Sequence, residues 1–296
     1  IRVGTFEFYA ARGDRDRLQL LADHVIARHY PQASGAADLL QRVVEAQAKT
    51  IAGWMGLGFI HGVMNTDNMS VSGETIDYGP CAFMDGYRPD QVFSSIDAHG
   101  RYAWNEQPNI AVWNLAQLAS CLVPLMGNDD AAVAEATRIV HGFPVLYQAE
   151  WLRVFGAKLG IAQPRPEDRE LIERLLSLMA AERADFTRVF AGLSDGTARD
   201  EFIDREAWDR WSRDWQGRIG GDGQAAQVMA RANPRRIPRN HRIEQAIAAA
   251  RDEGDFTLFH RLDAALRQPF QDRPDWDDLA VAPAADEIVQ RTFCGT

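Results

Sequence analysis

The stretch that decides this sequence is HGVMNTDNMSVSGETIDYGP, residues 61–80. It places Asp67, Asn68 and Asp77 among turn-forming residues. Two short runs within it, MSV and TID, are separated by Ser-Gly-Glu, a pattern that predicts a small hairpin. Most of the remaining chain instead shows the three-to-four spacing of apolar residues that is typical of amphipathic helices. Because carboxylate and amide oxygens can bind a hard metal ion or accept a proton, this segment is the first candidate for a functional site.

Composition limits the classes of function. The chain has 296 residues, of which 46% are hydrophobic, enough for one large domain or two small ones. Its formal net charge of −10 argues against a nucleic-acid partner, since such proteins usually present a basic patch to phosphates. Three widely spaced cysteines with no CxxC pair predict neither a zinc ribbon nor a disulfide framework. We also expect no membrane partner, because no apolar run reaches the length of a membrane span and no signal peptide opens the chain.

The periodicity predicts a mainly helical protein. Helices are expected over 14–29 and 37–56, followed by a short strand in GFIHG. Residues 79–108 lack any period and predict a long loop, which in a compact domain is usually functional or disordered. The run over 109–126 is apolar nearly all round, as in a buried helix. After it, Asn128 can cap a helix that continues towards Gly160.

The chemistry that residues 61–80 support is transfer of a group from ATP. Such transfer requires a carboxylate that accepts or orients the proton of the nucleophile, and oxygen ligands that hold Mg²⁺ on the phosphates. Protein kinases use a catalytic-loop Asp, an Asn and the Asp of a DFG motif. Here Asp67 and Asn68 end a loop that His61 opens, and Asp77-Tyr78-Gly79 resembles DFG. A hairpin that folds Asp77 back beside Asn68 would form a two-ligand metal site.

The spacing nevertheless departs from that of ordinary kinases. In H-R-D-x-x-x-x-N the Asp lies two residues after the His and the Asn five residues further on. In this chain Asp67 lies six residues after His61, and Asn68 follows at once. The run HGVMNTDNMS followed by DYGP resembles the selenoprotein O (SelO) family of kinase-like protein adenylyltransferases. Further blocks are similar to that family, from IRVGTFE at residues 1–7 to Pro269-Phe270, so the resemblance covers essentially the whole chain.

The resemblance implies a fold and a domain organisation. The expected fold is α-rich α+β: a protein-kinase-like C-lobe with a small metal-binding hairpin and a helical C-terminal extension. The C-lobe would occupy residues 1–126 and the extension residues 127–296. The resemblance also implies that the N-lobe is missing, because no GxGxxG occurs and neither Lys49 nor Lys158 fits the phosphate-binding lysine. This chain is therefore expected to be a C-terminal portion that binds ATP poorly alone.

The resemblance also implies an activity and residue roles. Members move AMP from ATP onto Ser, Thr or Tyr hydroxyls of protein partners, with Mg²⁺ or Mn²⁺, and bind ATP turned round relative to kinases. By position, Asp67 would be the catalytic base, and Asn68 and Asp77 would hold the metal. Arg2 would grip the ATP phosphates, which suits its planar charged fork. The expected location is the cytoplasm in a bacterium or the mitochondrion in a eukaryote.

Two other functions stay open at this stage. One is a kinase-like phosphotransferase that uses the same residues on the γ-phosphate. The other is a non-catalytic helical interaction module, made redox-sensitive by Cys294 near the end of the chain.

Single residues have structural alternatives as well. His61 is expected to make a structural hydrogen bond, and Asp85 to stabilise the long loop rather than bind metal. Arg2 has an alternative as a surface residue at a frayed terminus. The arginine cluster over residues 231–242 predicts ion pairs more readily than a phosphate site.

Overall fold

The structure, a computed structural model, describes residues 1–220 and 223–293. Cys294, with the redox role considered for it, lies outside the described residues. The helices are α1 (Val3–Ala10), α2 (Arg15–His29), α3 (Ala36–Leu57), α4 (Gln107–Met126), α5 (Asp130–His141), α6 (Phe143–Lys158), α7 (Asp168–Glu182), α8 (Phe186–Gly192), α9 (Arg205–Ile219), α10 (Gly223–Ala232), α11 (Asn240–Glu253), α12 (Thr257–Leu266) and α13 (Asp277–Ala280). The strands are β1 (Phe59–Ile60) and β2 (Ala82–Phe83).

The core is built around α3, which packs against α4 and α6. Its apolar residues repeat at three-to-four spacing, so one face of the helix is buried from Leu39 to Met55. Gly58 ends α3 in the left-handed conformation, with φ +66°, and its amide donates to the Met55 carbonyl. The chain can then turn directly into β1 and the 61–80 segment.

One hydrophobic core extends from Val3 to Met229 and therefore runs without a break past residue 126. A smaller cluster of Ala246, Leu262, Ala265 and Leu279 lies among the last helices. The division into residues 1–126 and 127–296 stays a prediction.

The strands are few and short, as expected of a helix-rich chain. β1 pairs antiparallel with β2, with Phe59 opposite Phe83. Single antiparallel bridges join Met69 to Thr75 and Arg2 to Ser70. Of the hairpin predicted for MSV and TID, the described residues form one bridge, between Met69 and Thr75. The bridge from Arg2 brings the start of the chain onto this segment.

The single helix expected from Asn128 to Gly160 is wrong. Asn128 adopts φ +59°, outside the helix, and Asp129 caps α5 by accepting a hydrogen bond from the Ala132 amide at 2.8 Å. The helical path breaks at Gly142, whose amide bonds back to Ile139, and Pro144 opens α6 in the first turn.

The expectation about membrane-spanning length also needs a correction. Among the described residues, the helical stretch Trp104–Met126 is long and apolar enough to cross a membrane by length and composition alone. This stretch contains α4, which packs against α1, α3 and α5. Core helices pass the same test of length and composition. The predicted burial of the 109–126 run holds on one face, at Ala111, Leu115 and Leu118, whereas Trp113 is exposed.

The arginine cluster has the structural role that the sequence favoured. Arg239 is 1% exposed and bonds Asp85 at 2.6 Å and Asp185 at 2.7 Å. Arg236, equally buried, donates to the carbonyls of Gln271, Arg273 and Trp276. These contacts attach the last helices to the long loop, which confirms the stabilising role predicted for Asp85.

Candidate functional site

The loop of residues 61–68 ends in one short 3-10 helix, Thr66–Asn68. Asn65 caps this turn, because its side-chain oxygen accepts a hydrogen bond from the Asp67 amide at 3.0 Å. The buried Asn114 of α4, on the core side of the loop, donates to the Met64 carbonyl at 3.0 Å. The loop that presents Asp67 is therefore fixed at both its cap and its base.

The Asp67 carboxylate lies against the first turn of α1. Gly4 leaves the space for it, since a Cβ added at Gly4 would stand 2.1 Å from Asp67 Oδ1. Backbone bonds hold α1 in place: the Val3 amide donates to the Met69 carbonyl, and the Val71 amide to the Ile1 carbonyl. Asp67 is itself exposed, so its carboxylate can reach a bound molecule.

Arg2 lies at the edge of the same loop. It bridges Ser70, two residues after Asn68, and its side chain is exposed. The structure thus brings Arg2 onto the segment that carries Asp67 and Asn68. Its role toward phosphates stays a prediction.

Asn68 and Asp77 each offer an oxygen. The Asn68 amide donates through Nδ2 to the Val63 carbonyl at 2.9 Å, which turns its Oδ1 the other way. Asp77 is exposed and adopts φ +59°, a left-handed conformation that Asp tolerates better than most residues. A long hydrogen bond of 3.4 Å from the Gly79 amide to Asp77 Oδ1 closes the turn. Non-glycine residues with positive φ concentrate at functional sites, which supports the choice of Asp77.

His61 connects the loop to the segment that carries Asp77. It is fully buried, and its Nε2 lies 2.8 Å from the Ile76 carbonyl, so Nε2 carries the proton and donates. Burial lowers the pKa of His61, which favours the neutral ring. Gly62, at φ +81°, passes so close to Pro80 that an added Cβ would lie 3.0 Å from its carbonyl oxygen. The structural hydrogen bond predicted for His61 is confirmed.

The donor set fits a hard divalent cation. Asn68 and Asp77 would supply only oxygen atoms, as Mg²⁺ and Mn²⁺ prefer, and Mg²⁺ keeps several waters or phosphate oxygens as further ligands. The described residues contain no group of three or more His, Cys, Asp and Glu side chains arranged to hold a metal. The two residues alone would therefore hold the ion weakly until ATP phosphates complete the ligand set. Their pairing as ligands stays a prediction.

Sequence reasoning missed three supports of this site. Gln107, at 0% exposure, accepts from the His61 amide at 3.0 Å and donates to the Phe59 carbonyl at 3.0 Å. Asn114 supports the loop base, and Gly4 makes room for Asp67. Gln107 and Asn114 share the buried face of α4 with Ile110 and Leu118, and a polar residue at an apolar-face position is the signal that could have found them.

A fourth support comes from the far end of the chain. The Thr292 amide donates to the Phe93 carbonyl at 2.8 Å, and its hydroxyl donates to the Pro80 carbonyl just after the Asp77-Tyr78-Gly79 turn. Cys81, which follows Pro80, is half-buried, and burial raises the pKa of its thiol to about 11. No periodic pattern in the sequence near Thr292 predicts this contact.

Known proteins are similar to this chain over its whole length. The sequence model described as protein adenylyltransferase SelO matches residues 1–267. A protein named protein nucleotidyltransferase YdiU from Ruegeria pomeroyi is 56% identical over 296 residues, covering 100% of this chain and 62% of the relative. Proteins of the same name from Roseobacter denitrificans and Rhodopseudomonas palustris are 55% and 51% identical over 100% of this chain, and 62% and 64% of each relative is covered.

The chain thus spans less than two thirds of the length of these curated relatives. The family match covers most of the chain, and it includes the 61–68 loop, Asp77 and Arg2. The chain belongs to the SelO family.

Proposed function

We propose that this chain is the catalytic C-terminal portion of a protein adenylyltransferase. The intact protein would transfer AMP from ATP to Ser, Thr or Tyr hydroxyls of other proteins, with Mg²⁺ or Mn²⁺ as cofactor. The printed names of the relatives, protein nucleotidyltransferase, support the reaction class. Because these relatives are bacterial and ATP is a cytoplasmic substrate, we place the reaction in the bacterial cytoplasm.

The observation that carries this proposal is the contact between Asp67 and the first turn of α1. This contact holds an exposed carboxylate against the helix whose N-cap is the exposed Arg2, so an acidic and a basic residue lie on adjoining segments. A base for the incoming hydroxyl and a cation for the phosphates are the two protein groups that nucleotide transfer needs most.

The proposed reaction is an in-line displacement at the α-phosphorus. The hydroxyl oxygen of the target side chain forms a new P–O bond while the bond to pyrophosphate breaks, and the hydroxyl proton passes to Asp67. Arg2 binds the phosphate oxygens as pyrophosphate leaves. Asn68 and Asp77 would hold the divalent cation, which neutralises charge on the phosphates when bound.

The N-lobe is part of this proposal. A glycine-rich loop and a lysine over the phosphates would have to come from the portion of the protein that corresponds to the remaining length of the relatives. Within this chain, Lys158 is buried against Phe190, with Nζ 4.3 Å from the ring centroid, and Lys49 is exposed on α3. Because Lys158 is buried against this ring, it cannot reach ATP beside Asp67, which agrees with a phosphate-binding lysine supplied from outside this chain.

Intact-mass spectrometry on the intact protein incubated with ATP and Mg²⁺ tests the proposal. Self-modification or substrate modification by the mass of AMP, lost in Asp77→Ala, is the expected result. Addition of the mass of phosphate instead would replace the proposal with the phosphotransferase. If neither mass appears on the protein or on proteins from a bacterial lysate, a non-catalytic interaction module becomes the better account.

A further inference from the structure

An apolar groove lies between α11 and α12, and none of the residues proposed for nucleotide transfer lines it. The two helices pack against each other as a helical hairpin, because Gly254 ends α11 and α12 begins three residues later. Gly254 permits this turn, since it adopts the left-handed conformation with φ +67°. The groove has a volume of about 460 Å³, in the range of ligand-binding pockets.

Each helix contributes a stripe of apolar side chains to the groove. On α11, Ile243, Ile247 and Ala250 follow one another at intervals of four and three residues. On α12, Phe259 and Leu266 lie seven residues apart, which is close to two helical turns. Residues at such spacings share one face of a helix, and two stripes side by side form the kind of surface against which a third helix packs.

These stripes are only partly covered in the described part of the chain. Ala246 and Leu262, at the floor of the groove, are buried and belong to the small cluster with Leu279 that holds the hairpin in place. The walls are open, since Ile247 is 50% exposed and Phe259 is 53% exposed. Single apolar side chains on a surface are ordinary, whereas a contiguous apolar groove marks a site where another molecule binds.

The groove offers little to an extended peptide or to a polar small molecule. The backbone groups of α11 and α12 bond within their own helices, so these two elements present no strand edge with which an extended segment could pair. Asp263 is the charged residue among those that line the groove, and it is paired with Arg267 at 3.0 Å. A polar ligand would meet few groups that could orient it, whereas the apolar face of an amphipathic helix would meet apolar side chains along its length.

The rim of the groove is acidic. The turn between the two helices reads Asp-Glu-Gly-Asp over residues 252–255, is exposed, and leads directly into Phe256 in the groove. Asp252 is paired with the preceding arginine at 2.7 Å, whereas Glu253 and Asp255 form no ion pair with any other described residue. These carboxylates favour a partner that has basic side chains beside its apolar face. They disfavour an anionic lipid surface, and also a second copy of a chain whose formal net charge is −10.

We propose that the groove between α11 and α12 binds an amphipathic helix of a partner protein, with basic residues at the end of that helix that meets the 252–255 turn. Apolar side chains at positions i, i+4 and i+7 of the partner helix pack between the two stripes, and its basic side chains lie beside Glu253 and Asp255. The proposal concerns binding alone, so it holds or fails independently of the proposed AMP transfer.

Fluorescence anisotropy with the intact protein tests the proposal. The probe is a labelled, largely helical peptide of about 18 residues, with leucines along one face, alanines elsewhere and lysines at one end. One comparison peptide carries glutamate in place of each lysine, and another has the same composition in scrambled order. We expect saturable binding of the lysine peptide that weakens as salt is raised, and binding of both comparison peptides at least about 10-fold weaker.

Substitutions in the walls of the groove locate the binding. Phe259→Ser and Ile247→Ser each remove a half-exposed apolar side chain and should each weaken binding of the lysine peptide about 10-fold. Val145→Ser is the matched control, because Val145 is an exposed apolar residue of α6, and it should leave binding unchanged. The thermal midpoint of unfolding should change little in all three variants, since each alters an exposed or half-exposed side chain.

Glu253→Arg separates the effect of charge from any effect on folding. It should weaken binding of the lysine peptide about 3-fold and strengthen binding of the glutamate peptide, a reversal that partial unfolding cannot produce. No saturable binding, binding that survives both wall substitutions, a comparison peptide that binds as tightly as the lysine peptide, or no response to Glu253→Arg would each overturn the proposal. So would a dimer in sedimentation velocity that Phe259→Ser dissociates, because the groove would then hold a second copy of the protein.

Discussion

Gly4 is the residue on which the position of Asp67 depends most directly. We expect Gly4→Ala to reduce AMP transfer by the intact protein at least 10-fold, because the new methyl group would push the Asp67 carboxylate out of place and small misplacements are costly in catalysis. The thermal midpoint should change little, since Ala favours the helix by up to about 1 kcal/mol over Gly. Activity and thermal unfolding are measured on the same samples.

Gly217 in α9 provides the control for this substitution. No atom lies within 4 Å of a Cβ added there, so Gly217→Ala should stabilise the protein by about 1 kcal/mol and leave transfer unchanged. Equal activity of Gly4→Ala and Gly217→Ala would show that the Asp67 contact does not matter for the reaction.

Lys158 gives the protein a pH-dependent stability. Burial lowers its pKa from 10.5 to about 7, so between these values the unfolded chain binds a proton that the folded chain does not. The free energy of unfolding should therefore rise with pH, by about 2 kcal/mol between pH 7 and pH 9 from this residue. Below pH 7 both states are protonated and the slope should vanish.

Urea unfolding of Lys158→Met at several pH values tests this dependence. The variant should be more stable than the parent near neutral pH, and the difference should shrink as pH rises toward about 10. Lys49→Met, which changes the exposed lysine of α3, is the matched control and should keep the parental slope. If the free energy of unfolding still rises with pH in Lys158→Met, other groups cause the pH dependence.

At the scale of elements, Arg239 holds the last helices to the long loop. Arg239→Met would leave Asp85 and Asp185 without their common partner in a largely buried position. We expect a loss of about 3–5 kcal/mol in the free energy of unfolding by urea, typical of a broken buried ion pair.

The comparison for this element is Arg235→Met. The ion pair of Arg235 with Asp195 at 3.0 Å is partly exposed, so the variant should lose about 1 kcal/mol or less. Similar losses in the free energy of unfolding for the two variants would mean that burial does not determine how strongly the Arg239 contacts stabilise the fold.

Elements were predictable where the information is local. The apolar spacing predicted α2 and α3 within about two residues of their ends, and the polarity of the 61–68 loop identified the candidate site. The end of the helix near residue 142 was missed because its signals, a glycine and a first-turn proline, are weak beside continuous helical periodicity.

Contacts between distant parts of the sequence could not be predicted. Gly4 and Asp67 are far apart in sequence, and Arg239 is 154 residues from Asp85. Such contacts depend on packing of whole elements, and no periodic pattern encodes them. The hydrogen bonds of Gln107 and Asn114 to the 59–64 segment likewise join residues about 50 positions apart.

At the scale of the whole molecule, ATP affinity should depend on the part of the protein outside this chain. Isothermal titration with ATP and Mg²⁺ should show binding to the isolated chain at least about 100-fold weaker than to the intact protein, since most phosphate contacts of a kinase-like site come from its N-lobe. Equal affinities would mean that the chain holds ATP alone, and the N-lobe proposal would fail.

In the proposed reaction, Asp67 directs an acceptor hydroxyl at the α-phosphorus of ATP. The most direct measurement incubates the intact protein and bacterial lysate proteins with ATP that carries a radioactive α- or γ-phosphate, with Asp67→Asn in parallel. We expect protein labelling from the α-phosphate alone, reduced at least about 100-fold in Asp67→Asn. Labelling from the γ-phosphate, or α-labelling that Asp67→Asn leaves intact, would contradict it.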